Sequence, residues 1–428
     1  MPMTSDQVIW SEQNRLHVAY KGLTAAGITG GGAAAYSCSP DLTGQTPAAT
    51  TSAIRVGQTV LFSDEATGLI VQKGLVIDTI PASPAATAVT GFTFELYGTD
   101  TLNPALAGTS AVNIFVYGAE FRKGTEGMDG SIEPSFTQFS NRPVIIKDKY
   151  EINGSDTAQI GWIEVATEDG TSGYLWYLKS ESETRLRFED YLEMQMVEGE
   201  NAKTDLGAAT KLSALGLLGS EGLFAAIEAR GNVYSGFAGA AAPGSGAMGD
   251  FDEILKNLDK QGAIEENMLF LSRSTALDFD DMIGAMAGGG YASTQAASYG
   301  LFDNESEMAL NFGFSGFRRG SYDFYKTDWK YLNDASTRGM DSEIDGVLVP
   351  AGTSTVYDQM LGSNIRRPFL HVRYRASETE DRRFKNWITG SVGGAYTSDL
   401  DAMSVHFLSE RCLVTQAANN FVLFKSTI

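Results

Sequence analysis

Residues 136–165, FTQFSNRPVIIKDKYEINGSDTAQIGWIEV, carry the hydrophobic and polar pattern of an extended ribbon. Two strand-forming stretches, 136–139 and 144–152, flank a polar turn. Pro143 fixes its own φ and pushes Arg142 away from helical backbone, so a helix is disfavoured here. Apolar and polar positions alternate poorly along the second stretch. The pattern therefore predicts a ribbon that has no core of its own to lie against.

A long helix is the next prediction, over residues 173–201. Gly199 can end it, because glycine accepts the left-handed backbone that often follows a helix. Its apolar stripe is thin and the rest of its surface is charged, which predicts a helix that lies on a surface or between neighbours. Two glutamate-first pairs at the favourable i,i+4 spacing support the helix, namely Glu181 with Arg185 and Glu183 with Arg187.

Short strands dominate residues 51–120, where apolar runs alternate with Gly, Pro, Asp and Asn turns. Strands at such spacing predict a small barrel or sandwich. Residues 1–50 are rich in Gly, Ala, Ser and Thr and are predicted to form a loose arm. From about residue 250 helical and strand patterns alternate, and residues 403–425 read as two closing strands. The predicted fold class is therefore α+β.

Composition and charge narrow the class of protein. With 428 residues, 43% hydrophobic and 20% charged, the chain is predicted to be globular and to divide into two to four domains. The net charge of −21 opposes adhesion to nucleic acid and to anionic membranes over most of the surface. The simplest use of such a charge is solubility.

One segment departs from this acidic balance. Between Arg366 and Lys385 seven basic residues stand against three acidic ones, a local charge of +4. This run is predicted to contact an acidic partner, such as another copy of the same chain. The basic members are Arg366, Arg367, Arg373, Arg375, Arg382, Arg383 and Lys385, and the acidic members are Glu378, Glu380 and Asp381.

Targeting signals and disulfides are not predicted. No run approaches the roughly 18 apolar residues that a membrane helix needs. The start, MPMTSDQVIW, lacks a basic region before an apolar core, so no secretion signal is expected. Cys38 and Cys412 are far apart in the sequence and fit thiols in a reducing cytoplasm better than a disulfide framework.

Catalytic, metal and cofactor sites are not predicted either. GSGAMG at 244–249 matches a dinucleotide-binding pattern but sits in an Ala/Gly-rich stretch without the required strand before it, so a flexible loop is the better interpretation. None of the three histidines has a second His or a Cys at ligand spacing. His406 and Cys412 share one predicted strand, but six residues at about 3.3 Å each put them roughly 20 Å apart.

The order of these elements resembles the major capsid proteins of tailed phages, the HK97 fold. The ribbon FTQFSNRPVII, the charged helix YLKSESETRLRFEDYLEMQMVEGE and the closing strands SERCLVTQAANNFVLF carry the resemblance, which covers about residues 130–428. The ribbon looks like that of the podovirus and crAss-like branches of the family. Residues 51–120 depart from the minimal fold and look like an inserted, small β-barrel-like domain.

This resemblance implies a division of the chain into six parts. They are an N-terminal arm at 1–50, an inserted β-rich domain at 51–125, an extended loop at 126–170, a peripheral domain with the spine helix at 171–245, an axial domain at 246–400 and C-terminal strands returning to the peripheral domain at 401–428.

The resemblance also implies a structural function without catalysis or cofactors. Many copies of the chain would assemble in the host cytoplasm, as hexamers and pentamers, into the icosahedral shell of a virion around double-stranded DNA. Decoration, portal and scaffold proteins would be further partners, no membrane would be involved, and an acidic lumenal face would touch packaged DNA only by non-specific proximity.

The residues predicted to contact neighbouring subunits lie on the ribbon, the helix and the basic run. The basic run is expected to meet the charged helix of a neighbour, at Glu181, Glu183, Glu189 and Glu193. The predicted contact residues are Gln138, Arg142, Lys147, Lys149, Glu181, Arg185, Arg187, Arg366, Arg367, Arg382 and Arg383.

Two alternatives stay open from the sequence. One is another virion component, a tail or decoration protein, whose main body would be the strand-rich 51–120 block; the long helix at 173–201 argues against it. The other is a β-rich hydrolase that uses carboxylates, against which the lack of a convergent catalytic motif argues.

Overall fold

The computed structural model shows a chain that is mostly β, with few helices. It divides into two compact units, one of residues 1–10 and 140–428 and one of residues 11–139. The structure describes residues 2–13, 17–23, 28–31, 34–38, 52–65, 67–81, 89–99, 101–106, 111–129, 136–158, 164–166, 172–202, 215–235, 247–262, 264–279, 316–334, 343–358, 363–392 and 396–426.

The strands are numbered along the chain. The first half of the chain contains β1 Pro2–Met3, β2 Val8–Gln13, β3 Ala19–Leu23, β4 Thr29–Gly31, β5 Ala34–Cys38, β6 Gln58–Asp64, β7 Val71–Pro81, β8 Val89–Leu96, β9 Val112–Ala119, β10 Phe136–Asn141, β11 Val144–Asn153, β12 Glu164–Ala166 and β13 Ser172–Tyr174. The second half contains β14 Asn232–Ser235, β15 Glu266–Leu271, β16 Gly316–Arg319, β17 Tyr322–Asp328, β18 Ile344–Pro350, β19 Thr353–Asp358, β20 Ser363–Pro368, β21 Leu370–Arg375, β22 Lys385–Gly390, β23 Ala402–Thr415 and β24 Val422–Lys425.

Residues 273–279 are helical. The other described helices have 24 residues in one case, 15 in another and eight or fewer in the rest. They are α1 Gly154–Ala158, α2 Leu175–Glu198, α3 Leu223–Arg230, α4 Ala247–Gln261 and α5 Lys330–Asn333. The helix predicted over 173–201 is thus α2, which Gly199 follows directly.

The 11–139 unit is built on one seven-stranded sheet, in the order β3-β9-β6-β7-β8-β5-β4. Phe62, Phe92 and Phe94 are fully buried at its core, and their rings contact one another. Three of the strands, β3, β4 and β5, come from the segment predicted as a loose arm, so that prediction is wrong for these residues. Their few apolar side chains, such as Leu23 and Cys38, join this shared core, which the local composition could not reveal.

A five-stranded sheet in the other unit is organised around β23, the longest strand. On one edge β23 pairs antiparallel with β11, from Val144 opposite Arg411 to Asn153 opposite Ala402. On the other edge it pairs with β21 and then β22, and the N-terminal β1 adds to β21 in parallel. Twelve of the 14 residues of β23 are buried, and they include side chains on both faces of the strand.

The ribbon predicted at 136–165 was expected to lie apart from the core of its own chain, and its second strand does not. Its strand positions hold, as β10 and β11, but β11 lies in a sheet of its own chain and buries Ile152 there. The interpretation that a neighbouring subunit must supply its core is therefore wrong for β11, Val144–Asn153. The segment 159–163 within the predicted extended loop lies outside the described residues.

A six-stranded mixed sheet forms the second core of this unit, in the order β14-β24-β18-β15-β17-β16. Phe251 of α4 packs on Phe317 and Phe324 of this sheet. The two closing strands were predicted to return together, but β23 and β24 join different sheets. Ala417, with a left-handed φ of 51°, stands in the connection where the chain changes sheets.

Candidate assembly surface

The helix α2 covers one face of the five-stranded sheet. Its Phe188 and Leu192 are buried against Val405 and Phe407 of β23, and Ile146 of β11 packs at the margin. The rings of Phe188 and Phe407 are 5.7 Å apart and stacked. Because successive strand residues point to opposite faces, the residues between these positions lie on the face away from the helix. That second face is called the open face here.

A buried carboxylate organises one end of the open face. The side chain of Glu410 is 8% exposed. Its carboxylate accepts a hydrogen bond from the Arg375 Nε at 2.9 Å and lies 2.7 Å from the Arg382 Nε. Arg375 also contacts the carboxylate of Asp6 and donates to the Thr4 carbonyl at 2.8 Å. Side-chain hydrogen bonds to Asp6 and then to Glu410, opposed by burial, raise the pKa of Arg375. This cluster holds the N-terminal residues against the sheet.

Other members of the basic run also find partners within the chain. Lys385 Nζ lies 2.7 Å from a carboxylate oxygen of Glu380, which lowers the pKa of that acid. The guanidinium of Arg383 lies 5.2 Å from the centre of the Tyr374 ring. Arg382 already has an acidic partner within the chain, Glu410, and its contact with a neighbouring subunit stays a prediction. The sequence did not reveal this partner, since it is 28 positions away on another strand.

Aromatic and polar side chains fill the middle of the open face. The Trp387 ring stacks on His406 at 5.1 Å, and the Thr389 Oγ1 lies 2.7 Å from the His406 Nε2. Trp387 remains 37% exposed. Beside it, Lys149 of β11 forms an ion pair of 2.7 Å with Glu151. This surface combines an accessible aromatic ring with charged groups, as the cores of protein interfaces often do.

The predicted ribbon residues lie on the surface. Gln138, Arg142, Lys147 and Lys149 are all exposed. Neighbouring Ile145, 50% exposed, is an apolar side chain that the open face leaves uncovered within the described chain. These positions are compatible with contacts to another molecule; among the described residues, Lys149 alone of the four has an ion-pair partner.

The ion pairs of α2 differ from those predicted. Arg185 Nε lies 3.2 Å from Glu189, the acid that follows it, and its guanidinium is 5.9 Å from the Phe384 ring centre. Arg187 Nε lies 3.4 Å from Asp148 of β11. Glu181, the predicted partner of Arg185, is half-buried. Because Arg187 is 39 positions from Asp148, its cross-element partner was beyond reach of a helix-spacing rule.

The remaining predicted residues lie on the hairpin of β19 and β20. Arg366 stands opposite Thr355, and Arg367 stands opposite Ser354. Arg366 is exposed and Arg367 is half-buried. The eleven predicted contact residues thus share one unit from residue 140 onward, apart from Gln138, but they do not converge on a single spot.

Two residues that sequence reasoning missed hold this region together. Glu410 is one, and Asn141 is the other. The Asn141 amide donates to the carbonyls of Glu221 and Leu413, both at 2.8 Å, while its oxygen accepts from the Glu221 N–H at 2.9 Å. Glu410 is the one acidic residue in the predicted strand MSVHFLSERCLV, which was the available signal; the turn position of Asn141 gave none.

The described residues offer neither a reactive thiol nor a cluster of metal ligands. Burial raises the pKa of the Cys412 thiol to about 12 and that of Cys38 to about 12, so both stay protonated at neutral pH. Within the described ranges, no three His, Cys, Asp or Glu side chains gather closely enough to hold a metal ion. No helix of the described chain has the length and apolar character to cross a membrane.

Comparison with known proteins gives distant structural likenesses only. No family profile matches this chain, and no curated protein matches it. A structure titled "Gordonia phage Cozz" is 9% identical over 72% of this chain and 79% of its own, with a TM-score of 0.38. The "Asymmetric unit of bacteriophage PhiM1 mature capsid" is 12% identical over 73% and 79%, with a TM-score of 0.34. The "Capsid structure of the Cyanophage P-SCSP1u" is 8% identical over 73% and 80%, also with a TM-score of 0.34.

Proposed function

We propose that this chain is a structural protein of a phage virion, and specifically the major capsid protein of an HK97-type head. Many copies, as hexamers and pentamers, form the icosahedral shell around double-stranded DNA, after assembly in the host cytoplasm. The chain performs no catalysis in this role. Decoration, portal and scaffold proteins are its further partners.

The observation that carries the proposal is the packing of α2 on β11 and β23. A helix of 24 residues lies over a sheet in which the ribbon strand pairs with a strand from the end of the chain. A long spine helix against ribbon and closing strand is the arrangement that the resemblance to HK97-type capsid proteins implies for the peripheral domain. The described chain thus has a rigid helix-on-sheet layer on which further copies can dock.

The accessible surface of this layer supports assembly. The open face presents Trp387, Ile145 and Lys147, which leave both apolar area and positive charge exposed. Most of the rest of the molecule is acidic, since the net charge of the chain is −21. Contacts between this face and an acidic region of another copy would be favourable, and such complementarity sets orientation and register between subunits.

The domain roles follow as part of the proposal. The peripheral domain, predicted at 171–245, is proposed here as the five-stranded sheet with α2, because β1, β11, β21 and β22 join that sheet. The axial domain, predicted at 246–400, is the six-stranded sheet with α4, and the inserted domain is widened from 51–125 to residues 11–139. The extended loop, predicted at 126–170, is narrowed to the segment between β11 and α2, which includes the hairpin of β12 and β13. The lumenal face meets DNA through non-specific proximity only.

Electron microscopy of the purified protein tests this function. The full chain is expressed alone and with the structural proteins encoded beside it, and particles are examined by negative stain. Closed shells or rings of five and six subunits are the expected result. Tubes or rings of other symmetry would favour a tail protein, and monomers under both conditions would contradict the capsid role.

A further inference from the structure

Two arginines lie on successive strands, and one of them contacts a histidine. Arg367 is in β20, and Arg373 is in β21 opposite Cys412. The Arg373 Nε is 3.5 Å from the His371 Nε2, and the His371 Nδ1 is 2.9 Å from the Pro368 carbonyl. A carbonyl only accepts, so Nδ1 carries the proton and Nε2 is left as an acceptor. The imidazole is therefore neutral in this arrangement.

Neither guanidinium has an anionic partner in the described part of the chain. No carboxylate of those residues lies within 4.0 Å of Arg367 or Arg373. The Arg367 Nε is buried and lacks a hydrogen-bond partner among the described residues. Both side chains are half-buried. A buried donor that loses water without gaining an acceptor costs free energy, so this arrangement is expected to have an acceptor when the protein works.

The pKa shifts of Arg373 and His371 are also those expected of basic groups that lack a nearby anion. Burial, and then the nearby guanidinium of Arg367, lower the pKa of Arg373. Burial likewise lowers the pKa of His371, and Arg373 and Arg367 lower it further. Each basic group thus destabilises the charge of another, which happens when positive groups gather without a counter-ion. Arginine nonetheless stays protonated at any ordinary pH.

The same sheet contains an arginine pair whose counter-ion is present. Arg375 and Arg382 both contact the carboxylate of Glu410, at 2.9 and 2.7 Å. One carboxylate therefore balances the charge of both guanidinium groups, and it also accepts a hydrogen bond from the Arg375 Nε. The pair of Arg367 and Arg373 has no such carboxylate from the described residues.

We propose that Arg367 and Arg373 form a binding site for an oxyanion, a phosphate or carboxylate group that comes from outside the chain. Two guanidinium groups supply the donors, and the His371 Nε2 accepts from the Arg373 Nε. The site does not depend on the proposed function, because a free ion can occupy it in a single subunit. In an assembly the same chemistry is available from a carboxylate of another copy.

Phosphate binding to the dissociated full chain tests the site. Thermal unfolding is measured in sodium phosphate and in sodium chloride of equal ionic strength. We expect phosphate to raise the Tm by a few degrees in a saturable way, because a ligand that binds only the folded state stabilises it. Arg373→Gln and Arg367→Gln should each abolish this increase. Lys330→Gln, which removes an exposed charge of the same unit, should preserve it.

A second readout separates a binding role from a structural one. In chloride alone, the Tm of Arg373→Gln should equal or exceed that of the unmodified protein, because the substitution removes a half-buried charge that has no counter-ion. If Arg373→Gln does not fold, Arg367→Gln decides the question. Equal phosphate response in the unmodified protein and both glutamine variants would overturn the proposal, and so would a response no larger than that to chloride.

The source of the group is resolved by sedimentation of the protein at high concentration. If phosphate dissociates oligomers of the unmodified protein, and Arg373→Gln oligomers form less readily, a carboxylate of a second copy occupies the site. If phosphate stabilises the chain but leaves its oligomeric state unchanged, a free phosphate group is the ligand. Both results support the site. Because phosphate binding is measured on dissociated protein, a failure to form shells would leave this test intact.

Discussion

Arg382 brings its guanidinium within 2.7 Å of the carboxylate of Glu410, a side chain that is only 8% exposed. The strand around Glu410 is buried, so this acid depends on its two arginines for compensation of its charge. Arg375, the second arginine, also contacts Asp6 near the N-terminus. One carboxylate therefore ties three separate parts of the chain together.

Substitution Glu410→Gln should lower the free energy of unfolding by about 3 kcal/mol, because it leaves two partly buried guanidinium groups without their anion. Both arginines keep some exposure, 21% and 27%, which places the cost at the low end of the range for buried pairs. Urea unfolding measures the change. The exposed Glu378→Gln on the same segment should shift stability by less than about 0.5 kcal/mol. Equal stability of the two variants would contradict this role of Glu410.

Truncation Phe188→Ala should cost about 3–5 kcal/mol, because it opens a cavity between α2 and β23. Phe188 is fully buried and contacts the rings of Phe384 and Phe407. Leu186, two positions earlier, is 58% exposed, so Leu186→Ala should cost less than about 1 kcal/mol. Urea unfolding of the two variants gives the difference in stability that is due to the buried face of α2. Similar losses in both variants would mean that α2 does not pack as described.

Asp64 should give the 11–139 unit an acid-sensitive contribution to stability. Its carboxylate accepts from the Thr67 hydroxyl at 2.6 Å and from the Ile70 N–H at 2.9 Å, and these bonds lower its pKa from 3.8 to about 2. A pKa lower in the folded than in the unfolded chain means that the contribution is complete above about pH 4 and is lost as the pH falls through about 2.

NMR titration of the Asp64 carboxyl carbon should therefore give a midpoint near pH 2. Asp64→Asn should reduce the stability of the unit at neutral pH and flatten the dependence of its unfolding midpoint on pH between about 4 and 2. The exposed Asp78→Asn should leave that dependence unchanged. A midpoint near the ordinary aspartate value would show that the turn bonds do not form.

Both thiols should resist modification in the folded protein. Burial raises the pKa of Cys38 and of Cys412 to about 12, so almost no thiolate exists at pH 8. A chromogenic disulfide reagent should react with neither residue under native conditions and with both in urea. Ser182→Cys, at an exposed position of α2, should react at once and verify the assay. Rapid native reaction of the unmodified protein would contradict the burial of these residues.

Charge reversal should separate assembly from folding. Lys147→Glu and Arg142→Glu alter exposed residues and should reduce shell formation several-fold while leaving the unfolding midpoint unchanged. Arg382→Glu should instead lower the unfolding midpoint, because it faces Glu410 with a second negative charge. Sedimentation gives the assembled fraction, and urea unfolding gives the stability. Normal assembly by both exposed variants would remove these residues from the proposed interface.

The break in the ribbon was determined by the sequence alone. Pro143 interrupts it between β10 and β11, because proline restricts its backbone angles without reference to the rest of the chain. Gly199 follows α2 as predicted but not with a left-handed φ; there the lack of a side chain lets the Gln195 and Ser220 carbonyls approach closely. The excess of basic residues between 366 and 385 was equally visible, since it needs only counting.

Pairing was decided by the tertiary structure. Alternation along β11 cannot identify β23 as its partner, because the two strands are about 250 positions apart and many apolar strands would match. The same holds for Arg382, whose charge seemed available until the fold brought Glu410 to it. Arg367 and Arg373 looked no different in the sequence, and only the fold leaves these two without a carboxylate from the described residues. Local backbone preferences act within a few residues, whereas strand partners and counter-ions depend on which distant surfaces exclude water together.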